Sequence, residues 1–214
     1  MNAIEIANLN VAYGQYNVIS NFSLSVGSGE TVLIQGESGC GKSTFLHAIC
    51  GLIPSTINAS ITGEVLINGK NIQGLTAAER AKEIGIVFQN PETQLFCDTV
   101  EDEIAFGLEN ICTPRCEMDA IICKMLDLVN MAEYRYTSPQ KLSGGQKQRV
   151  VLAAVLALEP RILLLDEALS QLDKKGRAAM TSHVVELQKQ GVTMLIVDHY
   201  LRPGDIGSPT CLSF

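Results

Sequence analysis

The sequence predicts an α/β fold built on a parallel sheet, and three observations carry that expectation. Short apolar runs alternate with helix-like stretches from residue 31 to residue 197, the pattern of strand–helix–strand units. Residues 36–44, Gly-Glu-Ser-Gly-Cys-Gly-Lys-Ser-Thr, match G-x-x-x-x-G-K-[ST] with Gly36, Gly41, Lys42 and Ser43 in the fixed places. Finally, Gly36, Gln89, Asp166 and His199 each lie at or just past the carboxyl end of an apolar strand, where such sheets bind ligands.

In chain order, residues 3–11 and the Phe22, Leu24, Val26 stretch alternate in hydrophobicity as half-buried strands do. Tyr13, beside Gly14, falls in a loop. Thr31-Val32-Leu33-Ile34 is the strand that feeds the glycine loop, and Thr44–Cys50 the helix that leaves it. Residues 61–67 form a strand that turns at Asn68-Gly69. Thr76-Ala77-Ala78-Glu79 is a capping box opening a short helix. Ile84–Phe88 is a strand ending at Gln89. The next seventy or so residues turn helical: one helix capped at Thr99, one from Asp119 to Val129, and one from Lys147 to Leu158 after Leu142-Ser-Gly-Gly-Gln146. Ile162–Leu165 is a fully apolar strand ending at Asp166-Glu167. A helix from Lys174 to Gln190 and a strand from Thr193 to Val197 complete the pattern.

The chain has 214 residues, 46% of them hydrophobic and 18% charged, with a net charge of −7. That balance suits a folded globular protein and gives non-specific nucleic-acid binding no electrostatic support. No apolar run is long enough to cross a bilayer and residues 1–5 carry no signal-peptide pattern, so a cytosolic protein able to dock on a membrane partner is expected. The seven cysteines form no C-x-x-C pair, and reduced, mostly buried thiols are expected. Cys40 stands out because a helix N-terminus lowers a thiol pKa.

The glycine loop points to anion capture. Backbone N–H groups of a glycine-rich turn converge on phosphate oxygens, and the helix N-terminus adds partial positive charge. Lys42 would reach the β- and γ-phosphates of a nucleoside triphosphate, and Ser43 would ligate Mg²⁺. Asp166 suits the acidic residue that holds Mg²⁺, and Glu167 is placed to orient or deprotonate an attacking water. His199 is either a γ-phosphate hydrogen-bond donor or a structural histidine, and Gln89 either a Mg²⁺ and water ligand or an ordinary loop residue. Tyr13 either packs at the strand end or stacks on a purine. Ser143, Gly144, Gly145 and Gln146 open a helix and make a second anion-binding surface. Because the first loop already cradles phosphates, a second surface makes sense if it serves a nucleotide held by another copy.

Gly36–Thr44, Gln89, Leu142–Gln146, Ile162–Glu167, Ser170–Asp173 and His199 together resemble the nucleotide-binding ATPase subunit of an ABC transporter over roughly residues 1–200. Phe88–Glu92, Leu172–Arg177 and Val197–His199 resemble the energy-coupling-factor branch, which serves vitamin and transition-metal importers. The resemblance implies a phosphate-loop, RecA-like core with an antiparallel β subdomain (1–88 and 160–200) and an inserted helical subdomain (89–159). It implies ATP and Mg²⁺ as cofactors. Tyr13 would stack on adenine, and Gly36, Glu37, Ser38, Gly39, Cys40, Gly41, Lys42, Ser43 and Thr44 would hold phosphates and metal. Gln89 would sense the γ-phosphate and His199 would pin it, with Glu167, His199 and Gln89 as the catalytic set and Ser43, Gln89 and Asp166 on the metal. Ser143, Gly144, Gly145, Gln146 and Asp173 would serve the nucleotide of an opposite subunit, homologous or identical, in a head-to-tail dimer. A transmembrane subunit would dock near residues 89–110, placing the chain peripherally on the cytoplasmic face of the membrane.

Three departures accompany the resemblance. Ala168-Leu169 replaces a usual Pro-Thr, and Asp198 stands where many relatives have Thr. Only fifteen residues follow His199, and Pro203, Gly204, Gly207 and Pro209 argue against a strand before Cys211-Leu212-Ser213-Phe214. The usual C-terminal strands are therefore expected to be missing from a shortened tail (201–214): either the sequence is a fragment or altered reading of a longer chain, or a partner completes the sheet. An ATP-binding module without turnover is a further reading. A soluble ABC machine acting on DNA, ribosomes or iron–sulfur assembly is the other reading. The 54-residue spacing from Gln89 to Ser143 leaves no room for its long coiled-coil arm.

Overall fold

The structure, a computed structural model, describes residues 1–170, 172, 174–199, 201–206 and 209–214. The chain opens with a hairpin of β1 (Asn2–Tyr13) and β2 (Tyr16–Gly27). Tyr13 is thus the last residue of a strand, not part of a loop, because pairing continues to Tyr13–Tyr16. Gly14, at φ 60, supplies the left-handed first position of that two-residue turn. β3 (Thr31–Gln35) runs into the glycine loop and α1 (Lys42–Ile49) leaves it. β4 (Ser60–Ile67) returns to pair with β1, and Asn68 (φ 49) and Gly69 (φ 76) turn it into β5 (Lys70–Asn71). Two central residues at positive φ are what a type I′ turn needs.

α2 (Ala77–Glu83) opens on the expected capping box of Thr76 and Glu79. β6 (Ile84–Val87) leads to Gln89, and α3 (Val100–Asn110) is capped by Thr99. α4 (Arg115–Leu128) starts just after Pro114, four residues ahead of Asp119. α5 (Gly144–Leu156) starts at the glycine pair, three residues ahead of Lys147. The reason is local: Ser143 and Gln146 form a capping box that draws both glycines into the first turn. β7 (Ile162–Asp166), α6 (Lys174–Lys189), β8 (Thr193–Val197) and β9 (Thr210–Ser213) follow.

These strands form two sheets. One is antiparallel in the order β2-β1-β4-β5; the other is parallel in the order β6-β7-β8-β3-β9. Alternate residues of the parallel strands enter different cores, since side chains alternate across a sheet. Leu33, Leu163, Leu165, Met194 and Ile196 face a core shared with α3, α4, α5 and α6. Val32, Ile34, Ile162, Leu164, Leu195 and Val197 face a second core with α1 and the antiparallel sheet. Burial on both faces explains why β7 and β8 are continuous apolar runs rather than alternating ones. Among the described residues, no helix is long and apolar enough to cross a membrane.

Two further expectations need correction. The tail does contribute a strand: after the Pro/Gly stretch, β9 pairs in parallel with β3, and the Phe214 N–H donates to Gln35 O at 2.8 Å. Its side chains explain the pairing. The Phe214 ring lies 5.2 Å from both Phe22 and Phe45, closing an aromatic cluster under the glycine loop. The cysteines are not mostly buried. Cys112, Cys116, Cys123 and Cys211 are exposed and the other three half-buried, all free thiols, because three of the exposed ones lie on the outer side of the helical region around α4.

Phe45 is fully buried at the centre of the aromatic cluster. Replacing it with Ala should cost about 3–5 kcal/mol, as large-to-small core changes do, read as a lower urea midpoint with an unchanged slope.

Candidate functional site

The glycine loop owes its shape to two close approaches. Gly41 sits at φ 107, and a Cβ there would lie 2.9 Å from Val18 Cγ1. A Cβ on Gly36 would lie 2.8 Å from the carbonyl oxygen of Phe214. Side chains are thus excluded at both ends of the turn. α1 then begins without a side-chain cap and without an acidic residue in its first turn. Its first N–H groups accordingly remain donors for an anion. Lys42 is buried, and its Nζ donates to Gly36 O at 2.9 Å and Glu37 O at 2.7 Å, close to Cys40 Sγ. The ammonium is therefore held over the loop that presents the amides. Glu37, Ser38 and Gly39 are exposed along its rim.

Two further sequence-predicted residues border this loop. Tyr13, at the end of β1, puts its hydroxyl 3.5 Å from Thr44 Oγ1. Ser43, in the first turn of α1, hydrogen-bonds the Asp166 carboxyl at the end of β7. Burial pushes the Asp166 carboxyl above its usual range; the Ser43 hydrogen bond and His47 pull it back. Asp166 Oδ1 is buried with no hydrogen-bond partner. An orphaned carboxylate oxygen beside a Ser hydroxyl is a donor set suited to a hard divalent cation, so Ser43 and Asp166 fit Mg²⁺. That ion would neutralise charge on the phosphate oxygens.

Glu167, one residue beyond β7, has φ 49, a left-handed conformation that costs a non-glycine residue about 1–3 kcal/mol. Three contacts impose it. The Glu167 N–H donates to Val197 O at 2.8 Å at the end of β8. Gln89 Nε2 donates to Glu167 Oε2 at 2.7 Å, and His199 Nε2 lies 3.2 Å from Glu167 Oε1. The structure thus brings together Gln89, Glu167 and His199 from the ends of three neighbouring strands.

The departures noted in the sequence have simple packing explanations. Ala168 and Leu169 are buried in the helical-side core. Asp198 is buried, and its Oδ1 accepts from Leu201 N at 2.9 Å, which shapes the turn presenting His199.

Ser143, Gly144, Gly145 and Gln146 do not join this cluster. Ser143 caps α5, accepting from Gln146 N, while Gln146 Oε1 accepts from Ser143 N at 2.8 Å. Ser143 and Gly144 are exposed, and among the described residues no hydrogen bond ties this turn to the glycine loop. Asp173 lies outside the described residues.

One neighbour had no role assigned from the sequence. His47 sits edge-on to Phe88 at 5.5 Å, and burial lowers its pKa while Asp166 raises it. The signal for it was spacing, because a residue four after Ser43 shares its helix face.

Known proteins resemble this chain over most of its length. Residues 19–170 match the family model described as "ABC transporter". An energy-coupling factor transporter ATP-binding protein EcfA1 of Oenococcus oeni is 41% identical over 94% of this chain and 72% of its own length. The EcfA1 of Leuconostoc mesenteroides is 40% identical over 92% of this chain and 72% of its own. A relative from Methanosarcina acetivorans is 41% identical, but this chain spans only 29% of its length. The solved structure of cbiO1 from Clostridium perfringens, part of the ABC transporter complex cbiONQ, superposes with a TM-score of 0.77 at 31% identity, covering 92% of this chain and 78% of that one.

Asp166→Asn separates folding from metal binding. Because the folded carboxyl has a raised pKa, the native state binds its proton more tightly than the unfolded chain, and stability is lost as pH rises through the raised value. The amide does not ionise. Asp166→Asn should therefore raise Tm at pH 7 relative to the parent chain and remove any further stabilisation by MgATP over ATP alone, both read by thermal denaturation.

Proposed function

The chain belongs to the ABC transporter family and is an ATP-binding ATPase domain of it; on that premise we propose that it powers a membrane importer as half of a head-to-tail dimer. The cargo class we propose is a vitamin or a transition-metal ion, in keeping with the energy-coupling-factor names of its relatives. The observation that carries the reading is the frame around Glu167. A carboxylate held at one oxygen by Gln89 and facing His199 at the other follows directly on Asp166 at the end of β7.

In the proposed mechanism, the amides of residues 39–44 and Lys42 Nζ bind the phosphates, and Tyr13 stacks on adenine. Glu167 orients a water and accepts its proton as the water oxygen bonds to the γ-phosphorus and the β–γ bridging oxygen leaves. Gln89 keeps Glu167 in place and His199 donates to the γ-phosphate. Each of these groups acts from a fixed position, which is where such sites gain most of their rate. Ser143, Gly144 and Gly145 complete the nucleotide site of the opposite protomer, where their exposed amides and hydroxyl meet a γ-phosphate; Gln146 and Asp173 would support that contact.

The transmembrane partner would dock beside Gln89. An apolar cleft of about 530 Å³ runs between α2, α3 and α5, lined by Ala77, Leu95, Phe96, Phe106, Val151 and Leu158 among others. Phe96 and Phe106 are exposed there and stack edge to face at 4.8 Å. Such a cleft suits an amphipathic helix of a membrane subunit. Gln94 lines the cleft and also bonds Phe88 N and Ile86 O, so an occupant would sit one contact from Gln89. The chain would then work at the cytoplasmic face of the membrane. With Gln89, Glu167 and His199 assembled and β9 in place beside β3, an ATP-binding module without turnover is the less supported reading.

Two experiments test this proposal. Glu167→Gln should cut phosphate release by about 10²-fold or more while ATP-dependent dimers persist on gel filtration; unchanged turnover would remove Glu167 from its role. Phe106→Asp should abolish co-purification with a co-expressed membrane subunit while leaving ATP affinity as it was.

A further inference from the structure

Residue 88 is held from three sides immediately before Gln89. The Phe88 N–H donates to Gln94 Oε1 at 2.8 Å, inside the loop itself. Its carbonyl accepts from Gln148 Nε2 at 3.1 Å, from the first turns of α5. Its ring meets the edge of His47 on α1. A second grip lies alongside. Lys147, the residue before Gln148, forms an ion pair with Glu92 in the short 3-10 turn at 91–93 that follows Gln89. The Lys147 side chain is only 15% exposed, and the pairing holds the Glu92 carboxyl below its usual range.

Consecutive residues of α5 therefore grasp the Gln89 loop before and after Gln89. An ion pair with one partner in solvent adds little to stability, so this one is weak evidence of a stabilising device. Its placement is more telling. Gln148 is 1% exposed and devotes its amide N–H to a loop carbonyl rather than to its own helix, while its Oε1 has no partner. Leaving a buried acceptor unsatisfied is costly, so an amide at position 148 holds Phe88 O while bearing an unpaired Oε1.

We propose that Lys147 and Gln148 are positioning residues that fix the Gln89 loop to the helix carrying Ser143, so that engagement of Ser143 by a nucleotide is felt at the Gln89–Glu167 contact. The connection is short: Ser143 caps the helix, the next turn grips residues 88 and 92, and Gln89 holds Glu167. Neither Lys147 nor Gln148 is placed on substrate. This deepens the proposed function and rests on its dimeric ATPase reading.

The test is a charge swap in the full chain with two readouts. Lys147→Glu and Glu92→Lys alone should each lower phosphate release about five- to tenfold, with the dissociation constant for a fluorescent ATP analogue unchanged, since displaced rather than missing groups slow the step. The double swap should restore most of the rate, as a direct pairwise coupling requires. Gln148→Met should lower kcat without raising KM and should not be rescued by the swap. Amide hydrogen exchange across residues 86–95 gives the second readout, independent of turnover: faster in each single variant, slowed again in the swap. Unaltered rates and exchange in the single variants, or a double swap no better than either, would overturn the proposal. A parent chain that releases no phosphate yet shows the exchange pattern would refute the ATPase reading and leave the latch standing.

Discussion

The start of α1 sets the constraint on which the rest of the molecule depends. Its first amides have no side-chain cap and no acidic residue in the first turn of the helix itself, so an anion is the partner that can satisfy them. Everything around the loop keeps it open to one. Gly36 and Gly41 exclude side chains from the turn, Lys42 is folded across its carbonyls, and the Phe22, Phe45 and Phe214 cluster supports it from below. The parallel sheet serves the same end. By ending β6, β7 and β8 beside β3, it delivers Gln89, Asp166, Glu167 and His199 to the side where the loop opens.

Glu167 shows how such a site holds its geometry. A left-handed backbone at a non-glycine residue persists only where surroundings over-determine it. Here β8 fixes its amide, while Gln89 and His199 flank its carboxylate. The carboxylate therefore reports on two segments at once, the loop after β6 and the turn after β8. A shift in either would be felt at the carboxylate proposed to handle water. Asp166, one residue earlier, meets the opposite circumstance: buried, with one oxygen unpaired and its pKa raised. Adjacent carboxylates in unlike environments suit different work, one for a cation and one for a proton.

Much of this was legible in the sequence, for physical reasons that differ by element. The glycine loop, the Thr76 and Thr99 caps and the Asn68-Gly69 turn are local, each specified by a few adjacent residues. β7 and β8 were visible because burial on both faces leaves only a terminal polar residue in each, Asp166 in β7 and Thr193 in β8. The start of α5 was misplaced because glycines read as loop, whereas the Ser143 and Gln146 capping box fixes them as helix. β9 was missed because its partner β3 lies some 175 residues away, and a stretch rich in proline and glycine precedes it. The contacts of Lys147 and Gln148 with the Gln89 loop were invisible for the same reason: no local pattern announces a pairing made only by tertiary folding.

A mixing experiment tests the central claim most directly, that one protomer's loop is completed by the other's Ser143. Lys42→Ala and Ser143→Arg chains should each be nearly inactive alone. In a mixed head-to-tail dimer, one site inherits both defects and the other inherits neither, so phosphate release should reappear on mixing, with one intact site per mixed dimer. A mixture no more active than its separate components would contradict the shared site.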